Sequence, residues 1–235
     1  MQINELKNYG VEMNLMFRKI PENHPETVKK AKALTVSILR KRIGVLPMLR
    51  MLYLAGKERK RIDKIPFPVK APLKPDTARM LKEAFSGKAA MFCALARVTD
   101  NNRAMDIMQE ITDATAYRSA ITELPEPQDF AACGDAFTAF KEYILEMFRV
   151  SKAAGIHDYR ILEEDDNCLE FDITYCAIYE YMKRIAPIEA CKANCYGDDV
   201  LFPAFCPKVG ACFKRKGNMA CGYDCCNTRY ERVRE

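Results

Sequence analysis

Hydrophobic residues recur every three or four positions over the first two thirds of the chain, the spacing that lines one face of an α-helix. The first such stretch follows Pro25, which suits a first helical turn, and Gly44 and Pro47 are expected to end or kink it. Methionine and phenylalanine positions on later stretches, such as Met108 and Phe148, are expected to be core. Further helices are predicted from residue 76 to about residue 98, from residue 100 onward, and after a break at 124–128.

The pattern changes near Gly155, where strand-like alternation begins. Leu169, Phe171 and Ile173 alternate with polar residues, as in a strand with one buried face. The predicted fold class is α+β, with a helical region at 1–155 and a cysteine-rich region at 156–235, as two units or as one continuous domain. The second region is expected to form a small antiparallel sheet with short helices: a helix at 176–185, a turn-rich segment at 196–210 and strands at 213–216 and 228–233.

Length and composition narrow the class of protein. The chain has 235 residues, 49% of them hydrophobic, which is enough to bury one large core or two small ones. Its first twenty residues carry Glu5 and Glu12 and lack an apolar stretch, so no signal peptide is expected. The longest apolar run, 45–55, contains Pro47 and Arg50 and is too short to span a bilayer. We therefore expect a cytoplasmic protein without a membrane span. The sequence does not indicate its oligomeric state.

Basic residues are concentrated near the N-terminus. Residues 1–74 hold 17 Lys or Arg and 6 Asp or Glu, although the net charge of the whole chain is only +5. Two basic clusters, at 40–42 and 57–64, are of the kind that binds nucleic acid or anionic lipid. No aromatic residues alternate with them, and no DNA-binding or nucleotide-binding motif accompanies them. A solvated helix face is the favoured interpretation, and no nucleic-acid partner is expected.

Cysteine is concentrated at the other end of the chain. In a reducing cytosol a dense set of thiols favours metal binding, an iron–sulfur cluster or catalysis over disulfides, and it suits an anaerobic cell. Several of these residues are nevertheless expected to be small buried core residues. No CxxC pair occurs, so local spacing identifies neither a zinc ribbon nor a ferredoxin-type cluster. Eight of the eleven cysteines lie in the last sixty residues, at 176, 191, 195, 206, 212, 221, 225 and 226.

Candidates for general acid–base chemistry are few. Only His24 and His157 are present, and His157 lies in a Gly-Ile-His-Asp segment that predicts an exposed loop, so a Cys–His pair is poorly supported. Asp198 and Asp199 form the best acidic pair and lie close to Cys195. Adjacent acidic residues are commonly turn formers, but in a cleft one of them could transfer protons.

Three segments near the C-terminus resemble the L-2-amino-thiazoline-4-carboxylic acid hydrolase family. Phe171-Asp-Ile-Thr-Tyr-Cys176 is similar to the family's F-D-x-T-x-C segment, and Cys195-Tyr-Gly-Asp198 to its C-x-x-D element. The stretch from Phe213 to Tyr230 is similar to the family's R-x-x-T-x-x-x-G-x-x-x-C-D-F-R-Y ending. The resemblance covers about residues 165–230, with departures at Asn218, Asn227 and Thr228 and additional thiols at Cys221 and Cys225.

The resemblance implies hydrolysis of an amidine-like C=N bond in a small ring, and the family's named substrate is a 2-aminothiazoline carboxylate. It implies an active site in which thiols act together with a carboxylate and in which a cation binds the substrate carboxylate. The implied catalytic residues are Cys176, Cys195, Asp198 and Cys226. The implied substrate-binding residues are Arg215, Asn218 and Arg229.

Two chemical routes are open for the three thiols Cys176, Cys195 and Cys226. In a covalent route, one thiol attacks the amidine carbon and Asp198 transfers the proton. We favour a metal route, in which the three hold zinc with an open position or an iron–sulfur cluster, with Cys221 or Cys225 as an additional ligand. The alternatives are an iron–sulfur or zinc redox or lyase protein, a small-molecule-binding module with a structural metal, and three core cysteines that never meet.

Overall fold

A computed structural model describes residues 25–68, 75–120 and 124–233. The segment interpreted above as lacking a signal peptide lies outside these ranges. The described chain opens with helices, which pass into a sheet after residue 153. The helices before the sheet are α1 (Pro25–Ile43), α2 (Val45–Ile62), α3 (Pro75–Val98), α4 (Asn101–Ala120), α5 (Pro127–Ala131) and α6 (Ala136–Ala153).

The sheet has four strands in the order β1-β2-β4-β3, and each neighbouring pair is antiparallel. Two helices and two short 3₁₀ turns connect these strands. The strands are β1 (His157–Glu164), β2 (Cys168–Cys176), β3 (Ala211–Lys214) and β4 (Cys226–Arg232), and the helices between β2 and β3 are α7 (Ala177–Ile185) and α8 (Ile188–Phe205). The α+β prediction is confirmed.

The predicted helix boundaries have clear local causes. Helix α1 begins at Pro25, and the backbone at Gly44 takes a φ of 79°, which separates α1 from α2. Pro47 then lies in the first turn of α2, where a proline is tolerated. Asp100 caps α4, because its Oδ1 accepts a hydrogen bond from the Arg103 amide at 2.8 Å. Helix α3 ends at Val98, as predicted.

The prediction of a turn-rich segment at 196–210 is wrong, because α8 runs through Gly197 and Pro203 to Phe205. Glycine and proline both disfavour a helix interior. Tertiary packing overrides that preference here, since Cys191 and Phe205 of α8 are buried in different hydrophobic clusters. Asp198 therefore lies on a helix and is not part of a turn.

Strand β1 is absent from the sequence prediction. It pairs only with β2, so it is an edge strand, and it carries exposed Ile161 and Leu162 side by side. Adjacent apolar residues obscure the alternation by which strands are recognised. The predicted exposed loop around His157 is also wrong, because His157 is the first residue of β1 and is half-buried.

Two hydrophobic clusters hold the fold together. In the first, Met51, Leu95 and Ile107 of the N-terminal helices pack with side chains of α7 and α8. In the second, α6 packs on the sheet through aromatic rings, with Phe140 and Tyr230 edge to face at 5.2 Å. Each cluster thus draws on both sides of residue 155.

The two basic clusters close α1 and α2, where cations favour the negative end of a helix dipole. Several of their members make ion pairs: Arg42 contacts Glu110 at 2.5 Å, and Arg59 contacts Asp63 at 2.8 Å. None of the described helices combines the length and apolar character needed to cross a bilayer.

Candidate functional site

A cavity of about 510 Å³ lies where the two hydrophobic clusters meet, and side chains of both line it. Its walls come from α3, α4, α6, α7, α8, the sheet and the segment after β3. Six of the seven residues implied to be catalytic or substrate-binding line this cavity: Cys176, Cys195, Asp198, Arg215, Asn218 and Cys226.

A β-bulge turns Cys176 toward the cavity. On β1, His157 and Tyr159 are two residues apart, yet their partners on β2, Cys176 and Ile173, are three residues apart. The extra residue in β2 places Cys176 on the same sheet face as Ile173, and both line the cavity. Without the bulge, strict alternation would place Cys176 on the opposite face with Asp172.

Cys176 lies at the junction between β2 and α7. It is the N-cap of α7, and its Sγ accepts a hydrogen bond from the Tyr179 amide at 3.4 Å. The N-terminus of a helix favours a thiolate. Burial acts in the opposite direction and raises the pKa of the Cys176 thiol to about 12. The resting group is therefore a thiol whose backbone environment is arranged for an anion.

The other two thiols have different surroundings. The Sγ of Cys226, on β4, accepts a hydrogen bond from the Met219 amide at 3.3 Å, and burial raises its pKa. Cys195, on α8, is half-buried, and both burial and the nearby Asp198 carboxylate raise its pKa. Cys195 is thus the least suited of the three to form a thiolate.

His157 is a site residue that the sequence interpretation missed. It lines the cavity and lies directly opposite Cys176 in the antiparallel pairing of β1 and β2. Its Nδ1 is 2.6 Å from Ser151 Oγ on α6, and burial lowers its pKa to about 4. The available signal is the alternation of His157, Tyr159 and Ile161 along β1, which predicts one common face.

Arg215 is held by two carboxylates of α8. Its Nη2 donates to Asp198 at 2.7 Å and its Nη1 donates to Asp199 at 3.1 Å, while only 9% of the side chain is exposed. Burial also raises the pKa of Asp199. With these partners the guanidinium is largely occupied; its Nε is buried without a partner among the described residues.

Asn218 has a local structural role. Its side-chain oxygen accepts a hydrogen bond from the Cys221 amide at 3.1 Å and caps the short 3₁₀ turn Met219–Cys221. The same turn supplies the Met219 amide that binds Cys226. Asn218 therefore shapes the loop that forms one wall of the cavity.

Three residues named from the resemblance do not line the cavity. Arg229 is three positions after Cys226 on β4, so it points to the opposite face of the sheet. There it contacts three carboxylates, those of Glu163, Glu170 and Glu231. Cys225 also lies away from the cavity, beside Asp172, and Cys221 is exposed.

The prediction that these thiols bind a metal is not supported by the structure. Within residues 25–68, 75–120 and 124–233, no three His, Cys, Asp or Glu side chains are grouped so as to hold an ion. The sulfurs of Cys176 and Cys226 instead accept backbone amides, and Cys221 and Cys225 face elsewhere. The grouping of donors that zinc or an iron–sulfur cluster needs is therefore not found among the described residues.

Comparison with known proteins identifies the family. A model of the L-2-amino-thiazoline-4-carboxylic acid hydrolase family matches residues 78–230, well over half of the chain. The chain therefore belongs to that family, and the family prediction is confirmed. The matched range includes every residue that lines the cavity.

Other comparisons add little. No curated protein matches the chain. Among solved structures it is similar to the Fe(II) unliganded H-NOX protein from K. algicida, with 9% identity over 87% of this chain and 96% of that chain and a TM-score of 0.35. A mutant of that protein gives the same values.

Proposed function

We propose that the protein opens the ring of a small cyclic substrate of the 2-amino-thiazoline-4-carboxylate type by hydrolysis at the amidine carbon, with Cys176 as nucleophile and His157 as proton carrier. The observation that carries this proposal is the direct cross-strand pairing of Cys176 with His157 at the cavity wall. Residues directly opposite in such a pair have Cβ atoms about 5 Å apart. The family to which the chain belongs is one of hydrolases.

Cys176 is the best nucleophile of the three thiols because of its backbone surroundings. The amides at the start of α7 point toward its sulfur and stabilise negative charge there. Because burial keeps the group protonated, attack requires removal of a proton as the bond to the substrate forms. That requirement calls for a base within reach.

His157 is the group that we assign as that base. Its lowered pKa keeps the imidazole neutral at neutral pH, so one ring nitrogen is free to accept a proton. Ser151 contacts Nδ1 and orients the ring; in the tautomer in which Nδ1–H donates to the Ser151 oxygen, Nε2 is the nitrogen assigned to accept the proton. Nucleophile, base and orienting group are thus supplied by β2, β1 and α6.

The reaction proceeds in two steps. First, the Cys176 proton passes to His157, the sulfur bonds to the amidine carbon, and the ring C–S bond breaks as the ring sulfur takes the proton. Second, water adds to the same carbon and the bond to Cys176 breaks; one water proton goes to the imine nitrogen and the other to the Cys176 sulfur. The product is an open-chain thiol that carries a carbamoyl group.

Charged groups orient the substrate in the cavity. The Asp198 carboxylate, fixed by Arg215, is placed to accept hydrogen bonds from the amidine nitrogens. Arg215 is occupied by Asp198 and Asp199, so the substrate carboxylate needs another cation. Lys88 of α3 is exposed at the cavity wall, and its Nζ donates a hydrogen bond of 3.2 Å to Asn194.

The proposal is tested with matched cysteine variants. Cys176→Ala is expected to lower kcat on 2-amino-thiazoline-4-carboxylate at least 10³-fold, because the covalent route is lost, whereas Cys225→Ala, on the other sheet face, stays within twofold. Product is measured chromatographically, and mass spectrometry of stopped reactions looks for an adduct on Cys176. Full activity of Cys176→Ala would exclude the nucleophile, and absence of turnover by the wild-type protein would exclude the function.

A second pair of variants isolates the base. His157→Gln is expected to lower kcat about 10²-fold with little change in KM. Ser151→Ala removes only the contact that orients the imidazole ring, and it is expected to lower kcat less than tenfold. If His157→Gln retains wild-type kcat at every pH, His157 does not carry the proton.

A further inference from the structure

The cavity is larger than the polar part of the proposed substrate requires. Cavities of 300–1,000 Å³ accommodate drug-sized ligands, and about 510 Å³ is within that range. A single five-membered ring with an amino group and a carboxylate fills only a small part of such a volume. Apart from Lys88 of α3, the groups that would act on this ring lie on the walls formed by the sheet, α8 and the segment after β3.

The remaining walls are mostly apolar. Three helices supply these side chains, and two of the residues, Met108 and Phe148, were expected from their spacing to be ordinary core positions. In the structure they face the cavity, and methionine adapts its shape readily to an apolar ligand. The apolar residues concerned are Phe85 and Phe92 of α3, Met108 and Ile111 of α4, and Met147 and Phe148 of α6.

An apolar space of this size favours an apolar occupant. Water gains few hydrogen bonds there, whereas a hydrocarbon group leaves water and regains packing contacts with the walls. The family's named substrate carries no hydrocarbon group of this kind. The apolar walls are therefore unused by that substrate, although they belong to the same cavity.

We infer that the substrate is a cyclic amidine or isothiourea that carries an alkyl or aryl group, which binds among the apolar side chains of α3, α4 and α6. This inference rests on the proposed function for the orientation of the ring. The ring lies against Cys176 and Asp198, and the hydrocarbon group extends toward Met108 and Ile111. The hydrocarbon group thus determines specificity.

The wild-type protein tests this directly with a substrate series. The probes are 2-amino-thiazoline-4-carboxylate, its 5-benzyl derivative and its N-benzyl derivative on the exocyclic nitrogen. At least one benzyl derivative is expected to bind tenfold or more tightly than the parent by titration calorimetry, and to show a correspondingly lower KM.

A matched pair of variants on α4 tests where in the cavity the hydrocarbon group binds. Ala116 lines the cavity and is half-buried, whereas Ala114, two positions away, does not line it. Ala116→Leu is expected to weaken binding of the benzyl derivative at least tenfold and to leave the parent compound within twofold. Ala114→Leu is expected to leave both unchanged, and circular dichroism checks that both variants are folded.

The outcomes separate this inference from the proposed function. Turnover of the parent compound, with both benzyl derivatives no better bound, overturns the inference and leaves the function intact. Tight binding of a benzyl derivative with no turnover of any probe supports the inferred ligand class and overturns the function. Binding of a benzyl derivative that responds equally to Ala114→Leu and Ala116→Leu places it outside the cavity and overturns the inference.

Discussion

The two faces of the β2–β4 pair achieve burial in different ways. On the cavity face, Phe171 lies opposite Thr228, and packing is by hydrocarbon and aromatic contacts. On the outer face, Asp172 lies opposite Asn227 and Glu170 lies opposite Arg229. Glu170 and Asp172 are only 6% and 5% exposed, so these two carboxylates are buried although they are charged and lie on the outer face. The difference shows that a polar position in an alternating strand can be as buried as an apolar one.

Ion pairs and hydrogen bonds make the burial of these two carboxylates possible. The Asn227 amide donates to both Glu170 and Asp172 at 3.0 Å, and Lys216 donates to Glu170 at 2.9 Å. Arg229 bridges Glu170 to carboxylates on β1 and β4. These contacts bind β4 to β2, and through that pairing they hold Cys226 and Thr228 at the cavity. The outer face thus supports the site without taking part in its chemistry.

Removal of the Glu170 charge, which lies at the centre of the ion pairs on the outer face, is expected to have the largest effect on stability. Glu170→Gln should lower the free energy of unfolding by about 3 kcal/mol, because it removes the buried negative charge that Lys216, Arg229 and the Asn227 amide all contact. Chemical denaturation measures this loss. The kcat/KM of the folded variant is expected to stay within threefold of wild type.

Glu163→Gln is the matched control, since Glu163 contacts the same Arg229 but is exposed. It is expected to cost less than 1 kcal/mol. Equal losses in the two variants would show that burial does not distinguish these carboxylates.

Low pH is expected to remove the stabilisation that the Glu170 ion pairs provide, progressively as the carboxylate is protonated. Lys216, Asn227 and Arg229 lower the pKa of Glu170 from 4.5 to about 2, so its contribution is present above pH 4.5 and is lost as pH falls toward 2. At pH 3 about 2 kcal/mol of it should be gone. His157 also destabilises the fold in acid, because its lowered pKa means that the unfolded chain takes up its proton first.

A comparison of wild type with Glu170→Gln cancels the contribution of His157. The difference in unfolding free energy between the two proteins is expected to shrink from pH 6 to pH 3. A difference that stays constant over this interval would contradict the role assigned to the Glu170 ion pairs.

Substitutions of two adjacent cysteines, Cys225 just before β4 and Cys226 at its start, compare the two faces of the sheet in their effect on activity. Cys226→Ala removes the sulfur that holds the Met219 amide at the cavity wall, and we expect kcat/KM to fall about tenfold, or about 1.4 kcal/mol. Cys225→Ala, on the outer face beside Asp172, is expected to remain within twofold. A larger loss in Cys225→Ala than in Cys226→Ala would reverse the assignment of faces.

Much of this arrangement was predictable from the chain. The strand alternation at 169–174, the helix starts at Pro25 and after Asp100, and the family segments all follow from local patterns. Strand parity would also have separated Arg229 from Cys226, because residues three apart in a strand face opposite ways. Only the resemblance to the family assigned both residues to one site, because a sequence motif does not say to which face of a sheet a side chain points.

The remaining features depend on contacts distant in sequence. A single extra residue in β2 reverses the side on which Cys176 lies, and only pairing with β1 reveals it. Helix α8 continues through Gly197 and Pro203 because two clusters pack against it, which local propensity does not record. His157 became a candidate only when β1 placed it opposite Cys176.

The smallest expected effects are those of lysine substitutions at two arginines, Arg229 on the outer face and Arg215 at the cavity. Arg229→Lys is expected to cost about 1 kcal/mol of stability, because a lysine cannot reproduce contacts to three carboxylates, and to leave KM unchanged. Arg215→Lys loosens Asp198 at the cavity and is expected to raise KM several-fold, with a similar loss of stability. Steady-state kinetics together with thermal unfolding separate the two. A tenfold rise in KM in Arg229→Lys, with stability unchanged, would restore Arg229 as the residue that binds the substrate carboxylate, and the outer face would then be part of the site.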